Sequence, residues 1–177
     1  MTPFWLCVSA AVVVSGVAAF TDTRTGHIPN GLTLPPLVIA PLVHAGWGGW
    51  QGLVASLLAA AACGLLPYLM FRKGAAGGGD VKLLAALGAI GGMGFGLEAQ
   101  IFGFAIAAAY SLARLTWHGR LLRTVANAAA LAINPLLPAR WRRTPAADAL
   151  ATVRLGVPIF AGVALAAWIR GALPPGV

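Results

Sequence analysis

Acidic side chains are scarce in this chain: four Asp and Glu stand among 177 residues, against twelve Lys and Arg. Charged residues of both signs make up 9% of the sequence, where soluble domains carry about 25%. So little charge excludes an ordinary soluble globular domain. Cysteine is nearly absent as well. Cys7 and Cys63 each lie inside an apolar run, where they are expected to pack, and no CxxC pair or Cys/His spacing exists to hold zinc. The histidines His27, His44 and His118 show no ligand spacing and are expected to be structural or interfacial. Neither a metal nor a cofactor is expected.

What remains is apolar. Hydrophobic residues make up 59% of the chain and the mean hydropathy is +0.85, which mark a membrane protein. A membrane helix consumes about 20 apolar residues, so the length suits one compact bundle, a single transmembrane domain over residues 1–177. Six apolar stretches stand out: Pro3 to Phe20, Leu32 to Trp47, Trp50 to Phe71, Val81 to Leu97, Gln100 to Trp117 and Thr152 to Ile169. The expected fold is all-α, a polytopic membrane helix bundle of about six transmembrane helices. Pro35, Pro36 and Pro41 make the second stretch the weakest, although membrane helices tolerate proline. A further stretch, Leu121 to Pro138, contains Asn127, Asn134 and Pro135 between arginines, and is expected to be an interfacial segment between the fifth and sixth helices. The start MTPFWLCVSAAVVVSGVAAF lacks the positive region of a signal peptide and is expected to stay as the first span.

Basic residues set the expected topology. Arg24 and His27 follow the first stretch, Arg72 and Lys73 the third, and Arg114, His118, Arg120, Arg123, Arg140, Arg142 and Arg143 surround the connection after the fifth. All fall on one side if the N-terminus is outside, while the opposite connections, GWGGWQG and the region of Glu98, carry no Lys or Arg. That side is cytoplasmic by the positive-inside bias. The same bias explains a formal charge of +8 without nucleic acid as a partner; the lipid bilayer is the partner the charges fit. Trp47, Trp50, Trp117 and Trp168 near the expected helix ends suit an aromatic belt.

Two of the rare carboxylates fall at the cytoplasmic boundary, Asp22 just after the first stretch and Asp80 just before the fourth. Taken singly each is a plausible cap or turn residue, Asp80 an N-cap for a helix opening at Val81. Brought together they share a proton, so that one activates water while the other protonates or polarises a carbonyl. A helix start would favour the anionic form of Asp80 and a helix end the protonated form of Asp22, which assigns Asp80 the base role and Asp22 the acid role. Gly77, Gly78 and Gly79 before Asp80 permit positive φ and close approach of another backbone, with room for an extended substrate. Gly88, Gly92 and Gly96 recur every fourth residue and are expected on one helical face. Lys82 either serves the loop or snorkels to headgroups. Glu98 and Asp148 are expected in solvent or paired with arginines. A competing assignment is a small proton-coupled transporter with the two aspartates as relay groups.

The stretch FTDTRTGHIPNGLTL, followed about sixty residues later by GGGDVKLLAALGA, resembles the type IV prepilin peptidase family, membrane aspartic proteases of the GxGD type. The late stretch RLGVPIFAGVAL is similar to the family's closing span. The resemblance implies cleavage of short basic leaders from prepilin or pseudopilin substrates at the cytoplasmic face of the bacterial inner membrane, with Asp22 and Asp80 as the catalytic pair. Gly77 and Gly79 are then the glycines of GxGD, Lys82 their basic neighbour, and Pro29 and Asn30 the IPN element that shapes the first loop, proline by fixing φ and asparagine as a cap for the next helix. Larger members carry a cysteine-rich insert and an N-methyltransferase activity; this chain has neither the CxxC pairs nor the room. It is similar to the short, peptidase-only branch that serves Flp-type (tight adherence) pili, and no methylation is expected.

Overall fold

The computed structural model describes residues 3–117 and 154–172. The segment expected to be interfacial at 121–138, together with His118, the arginines between 120 and 143 and Asp148, lies outside the described residues. Among the described residues the chain forms four helices and no strand: α1 Pro3–Thr25, α2 Asn30–Arg72, α3 Gly78–Trp117 and α4 Gly156–Ala172. The all-helical expectation is met, and α1, α2 and α3 are long and apolar enough to cross a membrane. Their outward faces are apolar too: Val13 and Phe20 of α1, Leu42 and Leu58 of α2 and Ile101 of α3 are all exposed. Such a coat suits a lipid surround.

Two glycine breaks fold the long helices on themselves. α2 has 43 residues and would reach about 65 Å if straight. It breaks at Gly48 and Gly49, the latter at φ 59° and ψ −151°, a conformation open to glycine because it has no Cβ. The chain doubles back there. Gly52 abuts the His44 carbonyl oxygen. His44 and Ser56, on the two limbs, reach neighbouring carbonyls of α3: His44 Nε2 lies 3.0 Å from Ile90 O, and the Ser56 hydroxyl donates to Ala89 O at 2.8 Å. The reversal falls inside the GWGGWQG connection. α3 breaks at Gly92, φ 80° and ψ 170°.

That second break corrects the expectation for the glycine repeat. Gly88, Gly92 and Gly96 do not share a face of one helix, because the middle glycine is the reversal itself. Gly88 and Gly96 face each other across it: a Cβ on Gly96 would stand 2.8 Å from the Gly88 Cα. Both also press on Cys63, whose Sγ would lie 2.8 Å from a Cβ at Gly88 and 2.7 Å from one at Gly96. Cys63 is fully buried and Cys7 is buried, the packing role expected of them.

The second limb of α3 packs on α4, where Gly162 meets the backbone of Gly103 and Ala99 directly. Small residues allow this close backbone contact without a Cβ between the helices. α4 opens at Gly156, later than the expected Thr152, and Arg154 and Leu155 are not helical. Pro158 sits in the first turn, where its missing N–H costs no intrahelical bond; the first such bond runs from Ile159 N to Leu155 O at 2.9 Å.

The far end of α4 carries the partner of Glu98. Arg170 donates through Nε and Nη2 to the two Glu98 oxygens, both at 2.7 Å, and its guanidinium lies 5.6 Å from the Phe4 ring centre and 6.0 Å from that of Phe95. The pairing joins α1, α3 and α4 at the end opposite the aspartates. Its side chains are 29% and 42% exposed, so solvent screening limits it to about 0.5–1 kcal/mol. Glu98→Gln is therefore expected to lower the thermal midpoint in detergent by about 1–4 °C, measured by unfolding of the purified protein.

Candidate active site

α1 runs past the expected Phe20 end to Thr25. The hydroxyls of Thr21, Thr23 and Thr25 bond back to the carbonyls of Ala18, Phe20 and Thr21, so this polar stretch stays helical. The helix stops at Gly26, which takes φ 73° and returns its N–H to the Asp22 carbonyl at 2.9 Å. Asp22 thus lies within the last turn of α1 and not in the loop after it. Its side chain is buried, and Oδ2 accepts the Gly156 N–H at 3.0 Å.

α3 opens at Gly78, three residues before the expected Val81, so Asp80 is the third helical residue and not the N-cap. Its Oδ2 accepts the N–H of Gly77 at 3.0 Å, the carboxylate half of a capping box. Asp80 is buried, as Asp22 is. Each carboxylate accepts an N–H from the start of a helix, α3 for Asp80 and α4 for Asp22, while Asp22 also lies in the last turn of α1.

Of the two properties expected of the glycines, positive φ is not used and close backbone approach is. None of Gly77, Gly78 and Gly79 has a positive φ; that conformation falls on Gly74 in the preceding turn. Gly79 admits another backbone, that of the chain's own first loop. A Cβ there would lie 2.9 Å from Ile28 Cβ and 3.2 Å from Ile28 O. A Cβ on Gly77 would stand 3.1 Å from Asp80 Oδ2, whereas one on Gly78 would make ordinary contact with the Phe71 ring at 3.5 Å.

Ile28 is buried under this contact, and the residues after it lock the two motifs together. Pro29, at φ −69° and ψ 143°, is the N-cap of α2 and makes no side-chain cap bond. Asn30 is the first helical residue rather than a cap. Its Oδ1 accepts from Lys82 Nζ at 2.7 Å, so Lys82 has a protein partner and is not merely snorkelling. His27 Nδ1 lies 3.3 Å from Thr25 O, a local loop contact. The Asn30–Lys82 bond spans 52 residues and predicts coupling: Asn30→Ala and Lys82→Ala are expected to be non-additive by about 0.5–1 kcal/mol in a double-mutant cycle of unfolding free energies.

Sequence reasoning missed Arg154 and Gly156 as neighbours of the site. The stretch RLGVPIFAGVAL carried them, but nothing local in it signals a contact with Asp22. A separate cavity of about 410 Å³ opens between α1 and the first limb of α2, lined by Leu6, Ala10, Pro36, Ile39 and Val43 with His44. Neither aspartate lines it.

Long apolar helices folded into a bundle with two buried carboxylates at one end define a membrane-protein site. A model of the type IV leader peptidase family matches residues 9–112, more than half of the chain and the part that holds both aspartates. The chain belongs to the type IV leader peptidase family, and a leader-peptidase-like hydrolytic function follows from that membership. No curated protein and no solved structure matches it.

Proposed function

We propose that the chain is a membrane-embedded aspartic endopeptidase that removes the basic leader peptide from prepilin or pseudopilin precursors at the cytoplasmic face of the bacterial inner membrane. The observation that carries this is the placement of Asp22 and Asp80: they come from separate motifs and are both buried at the end of the bundle where the first loop, at Ile28, packs on Gly79 of α3. Two such carboxylates do not both ionise readily and share a proton. The ionised member takes a proton from water, whose oxygen attacks the scissile carbonyl carbon while the protonated member gives its proton to the carbonyl oxygen. Collapse of the resulting gem-diol breaks the C–N bond, and a proton passes to the leaving amine. One oxygen of each carboxylate is tied to a backbone N–H; in this reading the other serves water and substrate.

In this assignment α1, the two limbs of α2, the two limbs of α3 and α4 are six spans of a single domain over residues 1–177, with the N-terminus outside. Arg24, Arg72, Lys73 and Arg154 stand at the same helix ends as the aspartates, which supports a cytoplasmic site. Arg170 stands at the other end and is neutralised by Glu98. Gly77, just before α3, and Gly78, Gly79 and Lys82 in its first turns surround Asp80 as the catalytic segment, and Pro29 and Asn30 dock the first loop on it. The absence of CxxC pairs supports the peptidase-only Flp branch, without methylation. A proton relay would need carboxylates near the middle of spans, whereas Asp22 and Asp80 lie in terminal turns. Co-expression with a leader-bearing Flp-type prepilin, in cells lacking their own peptidase, tests the proposal. A leader-shortened pilin band is expected. Intact precursor beside properly inserted enzyme would overturn it.

A further inference from the structure

We propose that the segment Arg154–Leu155–Gly156 is the positioning element of the peptidase site, holding the Asp22 carboxyl group at the angle the reaction needs. The proposal rests on Asp22 and Asp80 being the catalytic pair. It starts from an asymmetry between them. Asp80 is oriented from within its own motif, by the N–H of Gly77 three residues away. The hydrogen bond to the Asp22 carboxylate comes from Gly156, 134 residues further along the chain. α4 lies wholly beyond residues 9–112, so the family match says nothing of this contact.

Three features make the segment a rigid clamp. Gly156 fits against Asp22 only because it has no side chain: a Cβ there would lie 2.8 Å from both Asp22 Cβ and Asp22 Oδ2. Arg154 donates through Nη1 to the Thr23 carbonyl at 2.9 Å, one of the last carbonyls of α1, which have no partner within the helix. Its guanidinium also covers Gly26, with Nη2 3.5 Å from where a Cβ would stand. The terminal turn of α1 is thus gripped at Asp22 and at Thr23 and Gly26 just beyond it. Between the two contacts Leu155 is buried in the core, and α4 behind it is seated backbone to backbone on α3 at Gly162 and Gly103. Asp22 and Asp80 are therefore referred to the same frame, Asp80 through the first limb of α3 and Asp22 through α4 on the second limb.

The test is cleavage kinetics of purified enzyme in detergent on a leader-bearing prepilin. Gly156→Ala is expected to lower kcat by ~10–100-fold, the scale of an ångström-level misplacement, with KM within about twofold of wild type because the segment positions a carboxylate and binds no leader. Val157→Ala, at an exposed neighbouring position, serves as the control and is expected to match wild type. Arg154→Gln is expected to lose ~10-fold in kcat, and Arg154→Lys, which keeps a charged donor, to recover to within about threefold of wild type. If Gly156→Ala does not accumulate in the membrane, the Arg154 pair decides. Equal kcat for wild type, Arg154→Gln and Arg154→Lys, or a Gly156→Ala enzyme as fast as wild type, overturns the positioning role. Wild-type enzyme that leaves the precursor intact overturns the peptidase assignment itself, so the two failures are distinct.

Discussion

Asp22→Asn and Asp80→Asn are each expected to reduce leader cleavage by ~10²–10⁴-fold, the range that a positioned acid or base contributes, while the protein still inserts and folds. Asparagine keeps an acceptor oxygen. The bonds from Gly156 N–H to position 22 and from Gly77 N–H to position 80 therefore survive, and with them the last turn of α1 and the first turn of α3. What disappears is the capacity to take or give a proton. Asparagine is also close to aspartate in size and uncharged, so its burial costs no more than that of the carboxylate, and neither variant should be much less stable than wild type. Cleavage of a prepilin by the purified variants, beside their thermal midpoints, checks both halves. Retained cleavage in either variant would remove that aspartate from the chemistry, and lost cleavage with a collapsed midpoint would assign it a structural role.

Gly79→Ala is expected to damage the site without touching a catalytic atom. The added methyl would lie 2.9 Å from Ile28 Cβ and 3.2 Å from its carbonyl oxygen, so the Ile28–Pro29–Asn30 turn must withdraw from α3. Overpacking of this kind costs about 1–3 kcal/mol. Withdrawal would also stretch the Asn30–Lys82 bond and shift the loop that follows Asp22, for which a loss of ~10²-fold in cleavage is expected. Gly31→Ala is the matched control: it adds the same methyl to the residue that follows the turn, where nothing lies within 4 Å. Unfolding free energy and cleavage rate measured on the two variants separate docking from helix propensity. Equal behaviour would mean that the first loop adapts and that its fit against Gly79 is not what sets the site.

The candidate site residues were visible in the sequence more clearly than their arrangement. Asp22 and Asp80 stood out because acidic residues are so rare among apolar ones, and both prove to be buried at the same end of the bundle. Their local roles were less legible. Asn30 has the residue type of a cap, yet the cap position belongs to Pro29 and the Asn30 side chain bonds to Lys82. Gly92 belongs to a repeat that suggests a packing stripe, yet it is the point where α3 reverses. A four-residue glycine spacing is the same string whether the helix continues or breaks, and only the surrounding helices select between the two.

Composition and pattern by themselves determined that this is an apolar chain, helical in its described spans, with two motif regions and no thiol or zinc-ligand signature. These are sums over local properties: transfer of side chains out of water, and residue types at short spacing. The tertiary structure alone decided where the helices end, which glycines turn and which merely make room, and that α4 supplies the N–H received by Asp22. A hydrogen bond across 134 residues leaves no periodic trace. It exists because Gly162 and Gly103 bring two backbones together and thereby seat Gly156 against the end of α1.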